Sequence, residues 1–406
     1  MTNPFRGTFR SLRNHNFKLF FFGQSISNTG NWLTNVALTL LVLKLTGSGL
    51  AIGILAACQY GPLLIFSAWA GAIADRADKR RFLFVTQSLE MAESVGLAAL
   101  AFMPHPPLVG LYALALMGGV LLSFDNPLRR SFVSEMVPHE DVPNAVVLYS
   151  TIVNLSRVLG PTLAGVLIIT AGYGWCFTVD ALSYLAVLWS LYLMHREELY
   201  RAPTAPKKRG EVREGLRYVF REPRLLATLI MLAGIGALSL NASTTFPLLI
   251  TKSLGGAEGI FTFMYAIYAA GGIFGAFFIA RRESVRLRHI VYGATLFGIS
   301  MLVLSAAPGV PSAVALAFFV GAGSVLYTTA TTTLLQVEAD PPMRGRVLAL
   351  QSLLLIGPKA FGAPLLGYLA DVFGGRMPLV VGGVVCLIAA VYGYRVVAEN
   401  PAHSAA

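Results

Sequence analysis

The sequence predicts an all-α integral membrane protein with twelve transmembrane helices in two pseudo-symmetric six-helix bundles. Three observations carry that prediction. Of 406 residues, 55% are hydrophobic and only 13% charged, about half the roughly 25% charge of a soluble domain, so lipid must cover much of the surface. The apolar runs reach the roughly 20 residues a helix needs to cross hydrocarbon, and they are too long and continuous for barrel strands. Finally, the two halves of the chain echo one another at a fixed offset.

The runs, in order, are 17–43, 49–74, 82–103, 107–127, 146–170, 175–194, 225–250, 259–280, 289–307, 311–335, 347–372 and 377–397. The first follows MTNPFRGTFRSLRNHNFK, which is basic and leads into an apolar run too long for the core of a cleavable signal. The second closes on GAIADRADKRR, in which six of the seven residues from Asp75 to Arg81 are charged. PHPP at 104–107 ends the third, Arg129 and Arg130 follow the fourth, and APGVP at 307–311 parts the ninth from the tenth. Between the sixth and seventh lies the one long polar segment, 195–224, Pro-rich at first and patterned from Glu211 onward as a short amphipathic helix at the membrane surface. The expected domains are 1–194, a cytoplasmic linker 195–224, and 225–406.

Loop charge sets the orientation. With the start of the chain inside, 26 of the 31 Lys and Arg residues fall on the inner side and only Lys44, Lys252 and Arg376 on the outer, while Arg157 and Lys359 fall within spans. Both termini are then cytoplasmic. The same clustering accounts for the net charge of +11 without nucleic acid, and the basic linker suits anionic lipid. Cys58, Cys176 and Cys386 each stand alone in apolar sequence, with neither metal-ligand spacing nor a disulfide framework. There is no P-loop, metal-ligand cluster or nucleophile elbow, so nothing supports an enzyme, a cofactor or a metal.

The repeat is explicit. Gly160 and Gly362, Gly165 and Gly367, Gly172 and Gly374, and the bases Arg157 and Lys359 all lie 202 residues apart. Duplicated six-span halves imply parallel repeats about an axis along the membrane normal, with a substrate site near the midplane.

On these residues the chain resembles the major facilitator superfamily. Gly71-x3-Asp75-Arg76 with Lys79-Arg80-Arg81 is similar to the superfamily's loop 2–3 motif, departing from it at Asp78, where glycine is commonest. Gly160-Pro161-x3-Gly165 resembles the exporters' span-five motif. LTGSGLAIG (45–53), FDNPLRRSFVSEMVP (124–138) and PPMRGRVLAL (341–350) resemble the drug and siderophore efflux branch, similar to the enterobactin exporter. The arginine that many drug antiporters carry in span four is absent from 107–127. The resemblance implies a secondary exporter of the bacterial inner membrane, working by alternating access; the sequence leaves the oligomeric state open, and a monomer is the expectation. It implies proton coupling and an amphiphilic substrate such as a drug, siderophore or secondary metabolite. An importer or lysolipid flippase on the same fold, or a non-transporting receptor or scaffold, are the other readings.

Candidate residues fall into three groups. The conformational gate comprises Gly71, Asp75, Arg76, Lys79, Arg80 and Arg81 with Gly160, Pro161 and Gly165. Asp75 can sit at the N-terminal end of span eleven, where free N–H groups favour an anion. Gly71 permits close helix approach, and Pro161 lacks an N–H and kinks its helix. Intramembrane charges are functional candidates by default, which makes Glu90, Glu93, Asp125, Arg157 and Lys359 the coupling candidates. Glu90 and Glu93 are three residues apart and share a helix face, and a carboxyl kept from water can trade protons near neutral pH. The cavity candidates are Asn28, Asn31, Trp32 and Asn35 of span one, Asn241 and Thr244 of span seven, Tyr265 and Tyr268 of span eight, and Tyr327 of span ten. That uncharged, hydrogen-bonding, aromatic set suits amphiphilic solutes, although Asn and Thr also glue helices together.

Overall fold

A computed structural model describes residues 8–74, 77–200, 211–282 and 285–399. The described residues hold no strand. In the first half the helices are α1 (His15–Thr46), α2 (Gly49–Ala74), α3 (Lys79–Ala101), α4 (Leu108–Val133), α5 (Val142–Thr170) and α6 (Tyr173–Leu193). The short helix expected from Glu211 is α7 (Glu211–Arg221). There follow α8 (Pro223–Leu238), α9 (Ala242–Leu248), α10 (Glu258–Ala280), α11 (Leu287–Ser305), α12 (Val310–Glu338), α13 (Arg344–Ile356), α14 (Lys359–Phe373) and α15 (Met377–Glu399).

Ten described segments are long and apolar enough to cross a membrane by length and composition. The two expected spans outside that set are the first and third. Helices α1 and α3 have the length, at 32 and 23 residues, but polar side chains interrupt them. Gln24 of α1 and Gln87 and Glu90 of α3 are buried in protein, so lipid does not meet these groups. Elsewhere large apolar side chains stand exposed, among them Ile169, Trp189, Phe274 and Phe361, as a lipid-facing surface requires.

Two spans are broken for local reasons. Span seven is interrupted between α8 and α9, where the Asn241 amide donates to the Ala237 carbonyl at 2.6 Å, and it ends in a π-helical turn, Leu249–Ser253. Span eleven divides into α13 and α14 at Gly357-Pro358, since proline has no N–H to continue the ladder. The repeat survives at backbone level. Gly172 and Gly374, each closing its half's fifth span, both have φ +91°, a left-handed conformation that glycine adopts without strain. A Cβ at Gly160 would strike Trp32 and Thr29 of α1, and one at Gly362 would strike Ala237 of α8. Within each half, then, span five packs by glycine against that half's first span.

The described chain falls into two compact units, Met1–Leu41 with Pro62–Pro206 and Val42–Gly61 with Lys207–Ala406. The first has an aromatic core of Phe17, Phe20 and Phe132 with Leu128 and Leu191. In the second, Leu43 and Ile52 pack on Leu248 and Ala370. Residues 42–61 are thus packed with the second unit although chain order assigns them to the first six spans.

Candidate functional site

The densest polar chemistry lies inside the first unit. Arg129 of α4 is buried and ion-paired with Asp125, one turn earlier on the same helix. Its remaining nitrogens reach Gln24 Oε1 at 3.1 Å, Asn28 Oδ1 at 3.3 Å and Glu90 Oε2 at 3.8 Å. Gln87 ties the two acids together, its amide donating to Glu90 at 2.8 Å and to Asp125 at 3.0 Å. Thr86 donates to Asp125 at 2.9 Å. Gln87 Oε1 is enclosed with no protein partner. Two acids thus share one guanidinium: the group carries one net negative charge when both are ionised and none when one is protonated.

Two further acids complete the cluster. Asp180 of α6 accepts from Ser94 of α3 at 2.8 Å, in a space that a Cβ at Gly30 would fill. The Glu93 carboxyl lies against Gly118 of α4 in the same way. Neither acid has a cation within ion-pair distance among the described residues. The small residues of α1 and α4 make room for carboxylates inside the unit.

Arg129 corrects the sequence reading. It was expected in an inner loop, beyond a fourth span closing at 127, with no arginine in that span. In the structure α4 runs through Pro127 to Val133, and Arg129 lies within it, held by the acids it pairs with. Gln24, Thr86 and Gln87 were not singled out either. The signal for Arg129 was Asp125-x3-Arg129, an acid and a base one helical turn apart.

The gate residues are dispersed. Asp75 and Arg76 lie outside the described residues, and Gly71 is in α2. Asp78, at the position where the motif usually has glycine, caps α3 by accepting from the Arg81 N–H at 3.1 Å. Lys79 pairs with Glu135. Arg80 donates to the carbonyls of Leu191 at 2.6 Å and Tyr192 at 2.9 Å, at the C-terminal end of α6, where a cation is favoured. Arg81 is exposed. Pro161 and Gly165 are buried in α5.

Other candidates are also accounted for. Asn28 joins the Arg129 network, and Asn31 donates to the Tyr184 hydroxyl at 3.4 Å. Arg157 lies over the Trp32 ring, 5.5 Å from its centroid; Lys359, its repeat partner, lies over Tyr60 at 5.7 Å. Asn35 is half-buried. In the second unit Asn241 and Thr244 are buried; Tyr268 meets Phe246 and Tyr265 meets Phe261 edge-on, and the two tyrosines are tilted against each other, at centroid distances of 5.4–5.7 Å. Tyr327 is wholly enclosed.

The second unit has an acid that the sequence did not flag for this role. Asp371, near the end of α14, accepts from the N–H groups of Gly49 at 2.6 Å and Leu50 at 3.0 Å and from the Ser48 hydroxyl at 2.7 Å. Lys252 also reaches it, at 2.5 Å. These are the free N–H groups that open α2, where a carboxylate is favoured.

Many apolar helices, a repeated half and charged groups enclosed at membrane depth define a multi-pass membrane transporter. The chain matches the family of transmembrane secretion effectors over residues 6–405, and it belongs to that family, in the efflux branch of the major facilitator superfamily. It is 27% identical to the staphyloferrin A transporter of Staphylococcus aureus, over 70% of this chain and 72% of the relative. It is 26% identical to the multidrug efflux pump Tap of Mycolicibacterium fortuitum, over 92% of each. Among solved structures, an inward-facing, unoccupied bacterial homologue of the human lysosomal transporter Spinster matches with a TM-score of 0.75 at 14% identity, covering 98% of both chains. The protein is an efflux transporter of the cell membrane, acting on small molecules, and not an enzyme.

Proposed function

We propose that the protein exports an amphiphilic small molecule from the bacterial cytoplasm by alternating access, driven by the proton gradient, as a monomer with both termini inside. The observation that carries the coupling is the enclosed trio of Glu90, Asp125 and Arg129. A lone buried charge is costly in a low-dielectric interior, and one proton removes the excess here. The unpartnered Gln87 carbonyl beside Glu90 offers an acceptor to the protonated carboxyl. Glu93 and Asp180 extend the set of acids on the same helices.

Relatives that carry a siderophore and drugs support an amphiphilic cargo, as do the uncharged and aromatic side chains of α1 and α10. The gate role of Gly71, Asp75 and Arg76 with Lys79, Arg80 and Arg81 is kept as part of this proposal, as are Gly160, Pro161 and Gly165. The Asp371 clasp supports a cycle in which outer helix ends are held and released. The test is accumulation of candidate drugs and siderophores in cells with and without the protein, before and after collapse of the proton gradient. Lower accumulation that returns to the control level on collapse is expected, with Glu90→Gln flattening the pH dependence of efflux. Efflux that persists without the gradient refutes proton coupling.

A further inference from the structure

Helix α5 has three distinct faces. One is a buried seam of Ala145, Leu148, Ile152, Ser156, Gly160 and Ala164. To one side stand the exposed Leu155, Leu159 and Val166. To the other stand Ser150, Asn154 and Arg157, at i, i+4 and i+7, all exposed, continuing from the exposed Val146 and Val147 one turn earlier. Successive residues turn by about 100° on a helix, so the polar stripe and the leucine stripe flank the seam on opposite sides. Hydrocarbon suits the leucines. A guanidinium near the middle of a 29-residue span is costly in lipid and belongs on a water-filled path.

We infer that Arg157 is an anion-binding residue of that path, and that the cargo carries a carboxylate or comparable anion on its amphiphilic frame. This rests on the export reading above and narrows its substrate class. Three features support it. No ion pair among the described residues includes Arg157, whereas Arg129, in the same unit, is enclosed by acids. The Trp32 ring lies under the guanidinium, its centroid 5.5 Å from Cζ, and a cation held over a ring face can still present its planar N–H fork to a carboxylate in bidentate fashion. Ser150 and Asn154 supply donors along the same stripe. The clustered acids of this unit are set apart from Arg157: Glu90, Asp125 and Asp180 are 3% exposed or less and the half-buried Glu93 lies against Gly118 of α4, while Arg157 stands open. Within the second unit, the repeat-equivalent Lys359 stands over Tyr60 in the same cation-on-ring arrangement.

The test uses the purified full-length protein and two probes of equal shape, 1-naphthoate and its neutral carboxamide. Binding is read by quenching of Trp32 fluorescence against a Trp32→Phe blank. The wild type should prefer the carboxylate. Arg157→Gln should weaken naphthoate at least about tenfold, or roughly 1.4 kcal/mol, without changing carboxamide binding or the melting temperature. Arg157→Lys should keep most of the naphthoate affinity. No naphthoate binding by the wild type, equal affinity for the two probes, or an unaltered Arg157→Gln variant overturns the inference. Accumulation of naphthoate in cells is scored separately. Arg157-dependent binding without any effect on accumulation would keep the anion site and refute the export reading.

Discussion

The Glu90–Asp125–Arg129 group gives the sharpest energetic prediction. Replacing Arg129 by Gln removes the cation from two enclosed carboxylates and leaves Gln24 and Asn28 without their donor. Its side chain is 5% exposed and that of Asp125 is 0% exposed, so water cannot replace it. Breaking a buried pair from one side costs about 3–5 kcal/mol, because the surviving charge is left uncompensated. Replacing both partners costs much less. Asp125→Asn with Arg129→Gln should therefore recover stability relative to Arg129→Gln alone, with a coupling energy of at least about 1 kcal/mol. Equilibrium unfolding in mixed detergent micelles measures all four corners of the cycle. The reasoning fails if Arg129→Gln is as stable as the wild type, or if the two substitutions simply add.

Three further outcomes are expected. Asp371→Asn weakens the hold on the start of α2, and a loss of about 1.4 kcal/mol would raise opening about tenfold. In a Cys58→Ser background, a Leu43→Cys reporter, native Leu43 being 5% exposed, should then react faster with a thiol reagent. Gly362→Ala drives a Cβ into the Ala237 carbonyl and should destabilise the fold by about 1–3 kcal/mol of overpacking, read as a lower melting temperature; Gly345→Ala, with nothing within 4 Å, should be neutral. Reporter tags at the two chain ends should both be protected from outside reagents in whole cells, and a signal from either end would refute the orientation.

Most of the fold was legible because membrane depth imposes length and the repeat imposes matched glycines. Gly172 and Gly374 share one φ, and Gly160 and Gly362 each face the first span of their own half, so the offset of 202 is matched by packing. What hydropathy blurs is the pair of spans that carry chemistry. α1 and α3 look least like lipid-crossing helices because Gln24, Gln87 and Glu90 turn inward, where they bond to other buried side chains. The break of span seven at Asn241 was not visible either, since it depends on a side chain bonding back to Ala237.

The site was legible only in part, and the reason is physical. Glu90, Glu93 and Asp125 stand out because acids do little for topology, so an acid within a span calls for another explanation. A base at a helix end has a ready one, and Arg129 was absorbed by it. Counting Lys and Arg by loop cannot distinguish a base that faces the cytoplasm from one turned back into the bundle. The distinction depends on a partner at helical spacing, and Asp125 supplies it one turn before Arg129. The same test separates the remaining bases: Lys79 pairs with Glu135 and Arg80 caps α6, both at a helix end. Among the described residues Arg157 has neither an acid partner nor a helix terminus. A cation near the middle of a 29-residue helix with neither is costly in lipid, and on the anion-site inference water or cargo matches it.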